Sequence, residues 1–148
     1  MFRGQFVHSV DVKGRVSLPA RFRDLLVADG DARFVLTPAL FDPCLHLYPM
    51  RAWEELERKL LELPTLERHA MRFRRMYVSA AVECELDGSG RVLVPPQLRE
   101  RALLEKEVVW AGMGRILELW AKTAWDRALG MSDGEQAEFR QAMEQLKI

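Results

Sequence analysis

The sequence predicts an α+β chain with a mainly β core, made of two copies of one small unit related by a pseudo-two-fold axis. Three observations carry that prediction. Residues 11–19 read DVKGRVSLP and residues 87–95 read DGSGRVLVP, the same phrase written twice in one register. Around each copy runs the same succession of strand, turn, strand, proline-initiated helix, strand, strand and helix. Farther on, Leu45, Leu47 and Trp53 match Leu117, Leu119 and Trp125 at a constant offset of 72, against 76 for the turn motif. Self-similarity at a fixed spacing is the mark of a duplication. The four extra residues of the first copy are expected in the loop around TPALFDP.

The elements follow in order. FVHSV alternates as a strand, with Phe6, His8 and Val10 on one face. DVKG is turn chemistry, because an aspartate bonds backbone two residues on and Gly14 tolerates positive φ. RVSLP is a second strand, and Pro19 opens the helix PARFRDLLVA, where a missing N–H costs little. After a break at Gly30-Asp31 come the strands ARFVLTP and CLHLYP, then the amphipathic helix MRAWEELERKLLEL with Trp53, Leu56, Leu60 and Leu63 on one stripe. Pro64-Thr65 breaks it. LERHAMRFRRMYV forms the next helix, striped by Leu66, Ala70, Phe73 and Tyr77. The second copy repeats the plan with SAAVECEL, DGSG, RVLV, PPQLRERALL, EVVWAG, RILELW and KTAWDRAL. A last helix begins at Ser132 with Glu135 three residues on, a capping box. The predicted boundaries are 1–53 for the first unit, 54–78 for a helical insert, 79–129 for the second unit and 130–148 for the C-terminal helix. One unit has too few short strands to bury a core alone; two packed together solve this.

Composition narrows the function. The 148 residues are 49% hydrophobic and 30% charged, which suits a folded domain and excludes disorder. No apolar run is long enough for a membrane span, and the N-terminus lacks a signal-peptide pattern. Cys44 and Cys84 read as reduced, largely buried thiols. His8, His46 and His69 share no metal-ligand spacing, Gly112-Met113-Gly114 is a two-strand turn, and neither a P-loop nor a dinucleotide fingerprint occurs. No enzyme, cofactor, metal or small-molecule substrate is expected. Trp53, Trp110, Trp120 and Trp125 read as core. The formal net charge is zero, yet Arg3, Lys13, Arg15, Arg21 and Arg23 crowd the first 23 residues against the single acid Asp11. Arg68, Arg72, Arg74 and Arg75 form a second basic run, read as pairing within the helix or between subunits.

MFRG, DVKGRVSLPARFR, CLHLYP followed by a tryptophan, the SAA entry to the second copy, and DGSGRVLVPPQLRE followed by RILELW together resemble the MraZ family of bacterial proteins with two fused AbrB-like units. The resemblance weakens only in the last fifteen or so residues. It implies swapped-hairpin, barrel-like β units with flanking helices, assembled into closed rings. It also implies a cytoplasmic, nucleoid-associated protein that binds double-stranded DNA at short direct repeats in its own promoter. There it would repress the division and cell wall gene cluster, the D-x-x-x-R motif being tied to binding.

The candidate DNA-binding residues are therefore Arg15, Lys13, Arg3 and Arg91, with the motif's Asp11, Asp87, Gly14 and Gly90. An arginine leaving a tight turn can offer its planar fork to guanine or phosphate, or can pair with the motif's own aspartate. Asp11 and Asp87 favour the turn-locking role, since an acid facing DNA repels phosphate. Arg91 is the weaker reader, because Gly88 and Ser89 stand where the first turn has Val12 and Lys13. Lys13 suits a phosphate contact or plain solvation, and Arg3 a DNA contact or a subunit interface. Arg23 and Arg99 recur in both copies and read as structural. Repeated turns on a ring would add modest contacts into tight occupancy of boxes spaced near one DNA turn. A ring touching more than two boxes must deform or open. The alternative is a module that binds a protein partner through Phe139, Met143 and Leu146 of its C-terminal helix.

Overall fold

The computed structural model describes residues 1–28 and 30–148. The first repeat supplies β1 (Phe2–Ser9), β2 (Arg15–Ser17), α1 (Ala20–Val27), β3 (Arg33–Pro38), β4 (Cys44–Pro49) and α2 (Met50–Leu61). A short α3 (Arg68–Phe73) runs on as a π-helical turn over Arg74–Val78. The second repeat gives β5 (Val82–Glu85), β6 (Arg91–Leu93), α4 (Pro96–Arg101), β7 (Glu107–Gly114), β8 (Leu117–Ala121) and α5 (Lys122–Leu129). Helix α6 (Asp133–Leu146) closes the chain.

The two repeats share their strands. Six form one antiparallel sheet in the order β1-β7-β8-β4-β3-β5, and β2 pairs with β6 in a separate ribbon. Each repeat's first strand lies on the other repeat's third: His8 faces Val108, and Phe34 faces Cys84. The two fourth strands meet at the centre, His46 opposite Glu118. The order therefore reads the same from either end when the repeats are exchanged, with β1 and β5 as its two edges.

This register also places the extra residues. Leu36 faces Val82 while Trp110 faces Phe6, so the third strands correspond at an offset of 74, between the 76 of the turns and the 72 of β4 and β8. Two extra residues lengthen α1, which has eight residues against six in α4, and two lie in the β3–β4 turn, rather than all four around TPALFDP.

Local chemistry sets the helices. Pro19, Pro49 and Pro95 precede α1, α2 and α4 with φ of −52°, −54° and −57°, already suited to helix entry. Helix α2 stops at Leu61, short of the predicted stripe. Trp53 and Leu60 are buried, but Leu63 and Leu66 are 43% and 90% exposed. Glu67 caps α3, its carboxylate accepting the Ala70 N–H at 2.5 Å. Ser132 caps α6 as expected, accepting the Glu135 N–H at 3.2 Å. Both cysteines are free, Cys44 buried and Cys84 half-buried. No helix among the described residues is long and apolar enough to cross a membrane.

One core serves both repeats. Val16, Phe22, Phe34, Leu45 and Leu47 from the first pack with Val92, Leu98, Trp110, Leu117 and Leu119 from the second, all essentially inaccessible. Trp110 also donates its indole N–H to the Ser17 carbonyl at 3.0 Å, tying β7 to the β2 strand of the other repeat. Across the sheet, Val35, Met50, Trp53 and Tyr77 form a smaller cluster under α2 and the π-helical turn. Helix α6 buries no residue.

Candidate nucleic-acid interface

The two D-x-x-G-R turns are built alike. In the first, Asp11 Oδ1 accepts the backbone N–H groups of Lys13 and Arg15, both at 2.9 Å, and Oδ2 accepts Arg15 Nε–H at 2.6 Å. In the second, Asp87 Oδ1 accepts from Ser89 and Arg91 at 2.9 Å, and Oδ2 from Arg91 Nε–H at 2.8 Å. Backbone bonds from Gly14 to Asp11 and from Gly90 to Asp87 close each turn at 3.0 Å. The aspartate is thus both a turn former and an anchor for its own arginine, as an aspartate two and four residues upstream of free N–H groups can be.

Each turn is also held by the other repeat. Leu18 N–H donates to the Gly90 carbonyl at 3.1 Å, and Val94 N–H to the Gly14 carbonyl at 3.0 Å. The Arg99 guanidinium lies against Gly14, and that of Arg23 against Gly90, where a Cβ would collide with it. Arg91 Nη1 comes within 3.9 Å of Asp11 Oδ2. The two turns therefore sit together, braced reciprocally across the repeats. Arg23 and Arg99 have the structural role their recurrence implies, by a cross-repeat contact that sequence spacing could not reveal.

Gly14 has φ +84° and no room for a side chain. Gly14→Ala is expected to cost about 1–3 kcal/mol, from left-handed strain and the displaced Arg99. Gly88 has open space around it, so Gly88→Ala should leave the denaturation midpoint almost unchanged.

The arginines differ in what remains free. Arg15 is held only through Nε, and its terminal nitrogens have no protein partner among the described residues. Arg91 turns one terminal nitrogen toward Asp11. Lys13 and the fully exposed Val12 stand at the tip of the first turn, against Gly88 and Ser89 in the second. Arg3 lies elsewhere. It is exposed near the start of β1, opposite Met113, roughly 25 Å of extended strand from Asp11. The structure brings together Asp11, Lys13, Gly14 and Arg15 with Asp87, Gly90 and Arg91, but not Arg3. Of the basic run, Arg74 caps the end of α2 by donating to the Leu60 carbonyl at 2.6 Å.

Electrostatics fit a locked acid. The Arg15 backbone N–H, then the Arg15 side chain and the Lys13 N–H, pull the Asp11 carboxyl from an ordinary 3.8 down to about 2. Asp87 is lowered in the same way, first by the Arg91 N–H. A depressed acid contributes fully above its unfolded value and loses that contribution as pH falls through its folded value. The first turn should hold unchanged from neutrality to about pH 4 and loosen toward pH 2. Carboxyl NMR titration of Asp11 should give a midpoint near 2, and one near 4 would mean the anchoring bonds are not kept in solution.

The chain matches known proteins over its length. The family model described as "MraZ protein, putative antitoxin-like" matches twice, over residues 1–76 and 77–146. The chain is 41% identical to the transcriptional regulator MraZ of Thermoanaerobacter pseudethanolicus, over all of both chains. It is 45% identical to that of Pelotomaculum thermopropionicum, over all of this chain and 99% of the other. With the protein of that name from Desulforamulus reducens it shares 48% identity over 86% of each. Two full-length repeats with interlocked D-x-x-G-R turns and full-length relatives of one name lead to a single conclusion: this chain belongs to the MraZ family.

Proposed function

We propose that the chain is a transcription regulator that binds double-stranded DNA through its paired turns, several copies acting at once from a ring-shaped homo-oligomer. The observation that carries this reading is Arg15, a guanidinium aimed by its own aspartate through Nε while its terminal nitrogens have no partner among the described residues. A preset fork with two free donors suits guanine O6 and N7, or a phosphate. Lys13 beside it adds a phosphate contact, and Arg91 a second, weaker one. Asp11, Asp87, Gly14 and Gly90 serve binding indirectly, by holding the turns. Arg3, distant from both, reaches DNA only from a different part of the surface or else serves an interface between copies.

A single pair of turns gives little affinity, so repetition is required. Apolar residues left bare on the single chain, Phe41 at 93%, Leu61 at 83% and Leu66 at 90%, support burial between copies. The DNA element is a row of short direct repeats in the protein's own promoter, spaced near one helical turn, and engaging more than two of them deforms or opens the ring. Occupancy excludes polymerase and represses the gene's own operon, the division and cell wall cluster. The protein then works in the cytoplasm, on the nucleoid.

Fluorescence anisotropy tests this with the region upstream of the gene and a scrambled duplex, at several salt concentrations. Tight binding to the first alone, weakening steeply with salt, is the expected result. Equal, weak binding to both would contradict it. A second reading rests on α6, which buries no residue and exposes Phe139 and Leu146 at 52% and 65%, with Met143 between them. That face could hold a protein partner. A stoichiometric second protein on the purified chain, with no promoter binding, would favour it.

A further inference from the structure

The two faces of the sheet differ at its centre. On one, Leu45, Leu47, Leu117 and Leu119 enter the shared core. On the other, β4 and β8 set His46 opposite Glu118, with Cys44 two residues before His46 on the same face. One ligand atom from each of these three side chains lies within 4.8 Å of those of the other two. Cys44 and Glu118 are buried and His46 is half-buried. We propose that Cys44, His46 and Glu118 form a binding site for a thiophilic divalent cation of the zinc type, bridging the two repeats.

The donor set fits such an ion. Thiolate, imidazole and carboxylate are the ligands zinc takes, and two anions with one neutral ring cancel a double positive charge in a buried place. Bond lengths near 2.0–2.3 Å require donors on the order of 3.5 Å apart. Cys44 Sγ and Glu118 Oε2 are already 3.1 Å apart, and the imidazole need close by only about 1 Å. Supporting groups are in place. Trp120 Nε1–H donates to Glu118 Oε2 at 2.9 Å. The Tyr77 hydroxyl bonds His46 Nδ1 at 2.6 Å and the Tyr48 hydroxyl at 2.7 Å. Such outer contacts orient ligands and raise affinity. On binding, the Cys44 S–H bond breaks, its electron pair goes to the ion and its proton leaves to solvent; a water completes the four ligands zinc takes. The ion would clamp β4 to β8, the seam between the repeats.

The test uses the reduced, chelator-treated full chain titrated with Co²⁺, a coloured stand-in for Zn²⁺. The expected result is one Co²⁺ per chain with thiolate-to-cobalt charge-transfer absorption, displaced by Zn²⁺, which also raises the melting temperature. Cys44→Ser should abolish the charge-transfer band and Cys84→Ser should keep it. His46→Leu, a substitution that a half-buried strand position tolerates, should weaken binding about tenfold or more and decides the matter if Cys44→Ser does not fold. A folded wild-type chain without the band, or a band unaffected by His46→Leu, would overturn the site. Cys44 and Glu118 would then be a plain hydrogen-bonded pair, the thiol donating to the carboxylate, beside a separate chain from His46 through Tyr77 to Tyr48.

Discussion

Arg15→Ala is expected to abolish specific promoter binding while the assembly keeps its size. One well-placed arginine fork is worth about 1–3 kcal/mol of discrimination at a base pair. In an oligomer that engages several boxes the loss recurs at each, so affinity should fall about a hundredfold or more. Arg15 lies outside the shared core, the only hydrogen-bond or ion-pair partner of its side chain among the described residues being Asp11, four residues away on its own turn. Its removal therefore opens no cavity. Arg91→Ala should be milder, because Arg91 is already drawn toward Asp11 and its turn has no lysine. Anisotropy on promoter DNA, with sedimentation of each variant, checks both. Monomers from Arg15→Ala would make the residue an interface residue and remove it from the DNA surface.

The second large effect concerns the fold. Residues 1–76 alone are expected to be unfolded as a monomer, although they cover one complete family repeat. Cut there, β1 loses β7, β2 loses β6, and β3 keeps only β4. The core loses Val92, Val94, Leu98, Val108, Trp110, Leu117 and Leu119 together. At about 1.5–3 kcal/mol for each large apolar side chain, the loss is on the order of 10–20 kcal/mol, as large as the whole stability of an ordinary domain or larger. Structure should return only as concentration rises, by pairing with a second copy, or when residues 77–148 are added. Circular dichroism across a dilution series reads this out. Cooperative melting of the fragment independent of concentration would mean that the repeats fold separately.

The repeat and its turns could be read directly because their chemistry is local. Asp11 needs only the next four residues to fold its turn, and Pro19 and Pro95 need only themselves to start α1 and α4. The duplication also implied two packed copies. Other features depend on which strand lies beside which. No spacing places Arg99 over Gly14, since they meet only because each repeat lends its first two strands to the other. The Cys44, His46 and Glu118 cluster is hidden for the same reason: two members are on β4 and the third, from the other repeat, is on β8. Leu63 ended one predicted helical stripe and Leu66 began the next, but both fell outside the helices, beside Pro64.

The first turn is expected to touch DNA directly. A photocrosslinking amino acid at Val12, fully exposed at the tip of that turn, measures this directly, with Phe139 on α6 as the comparison position. The predicted result is a promoter-specific crosslink from position 12 and none from position 139. Crosslinking from 139 alone, or equally from both, would contradict the account and move the DNA surface away from the D-x-x-G-R turns.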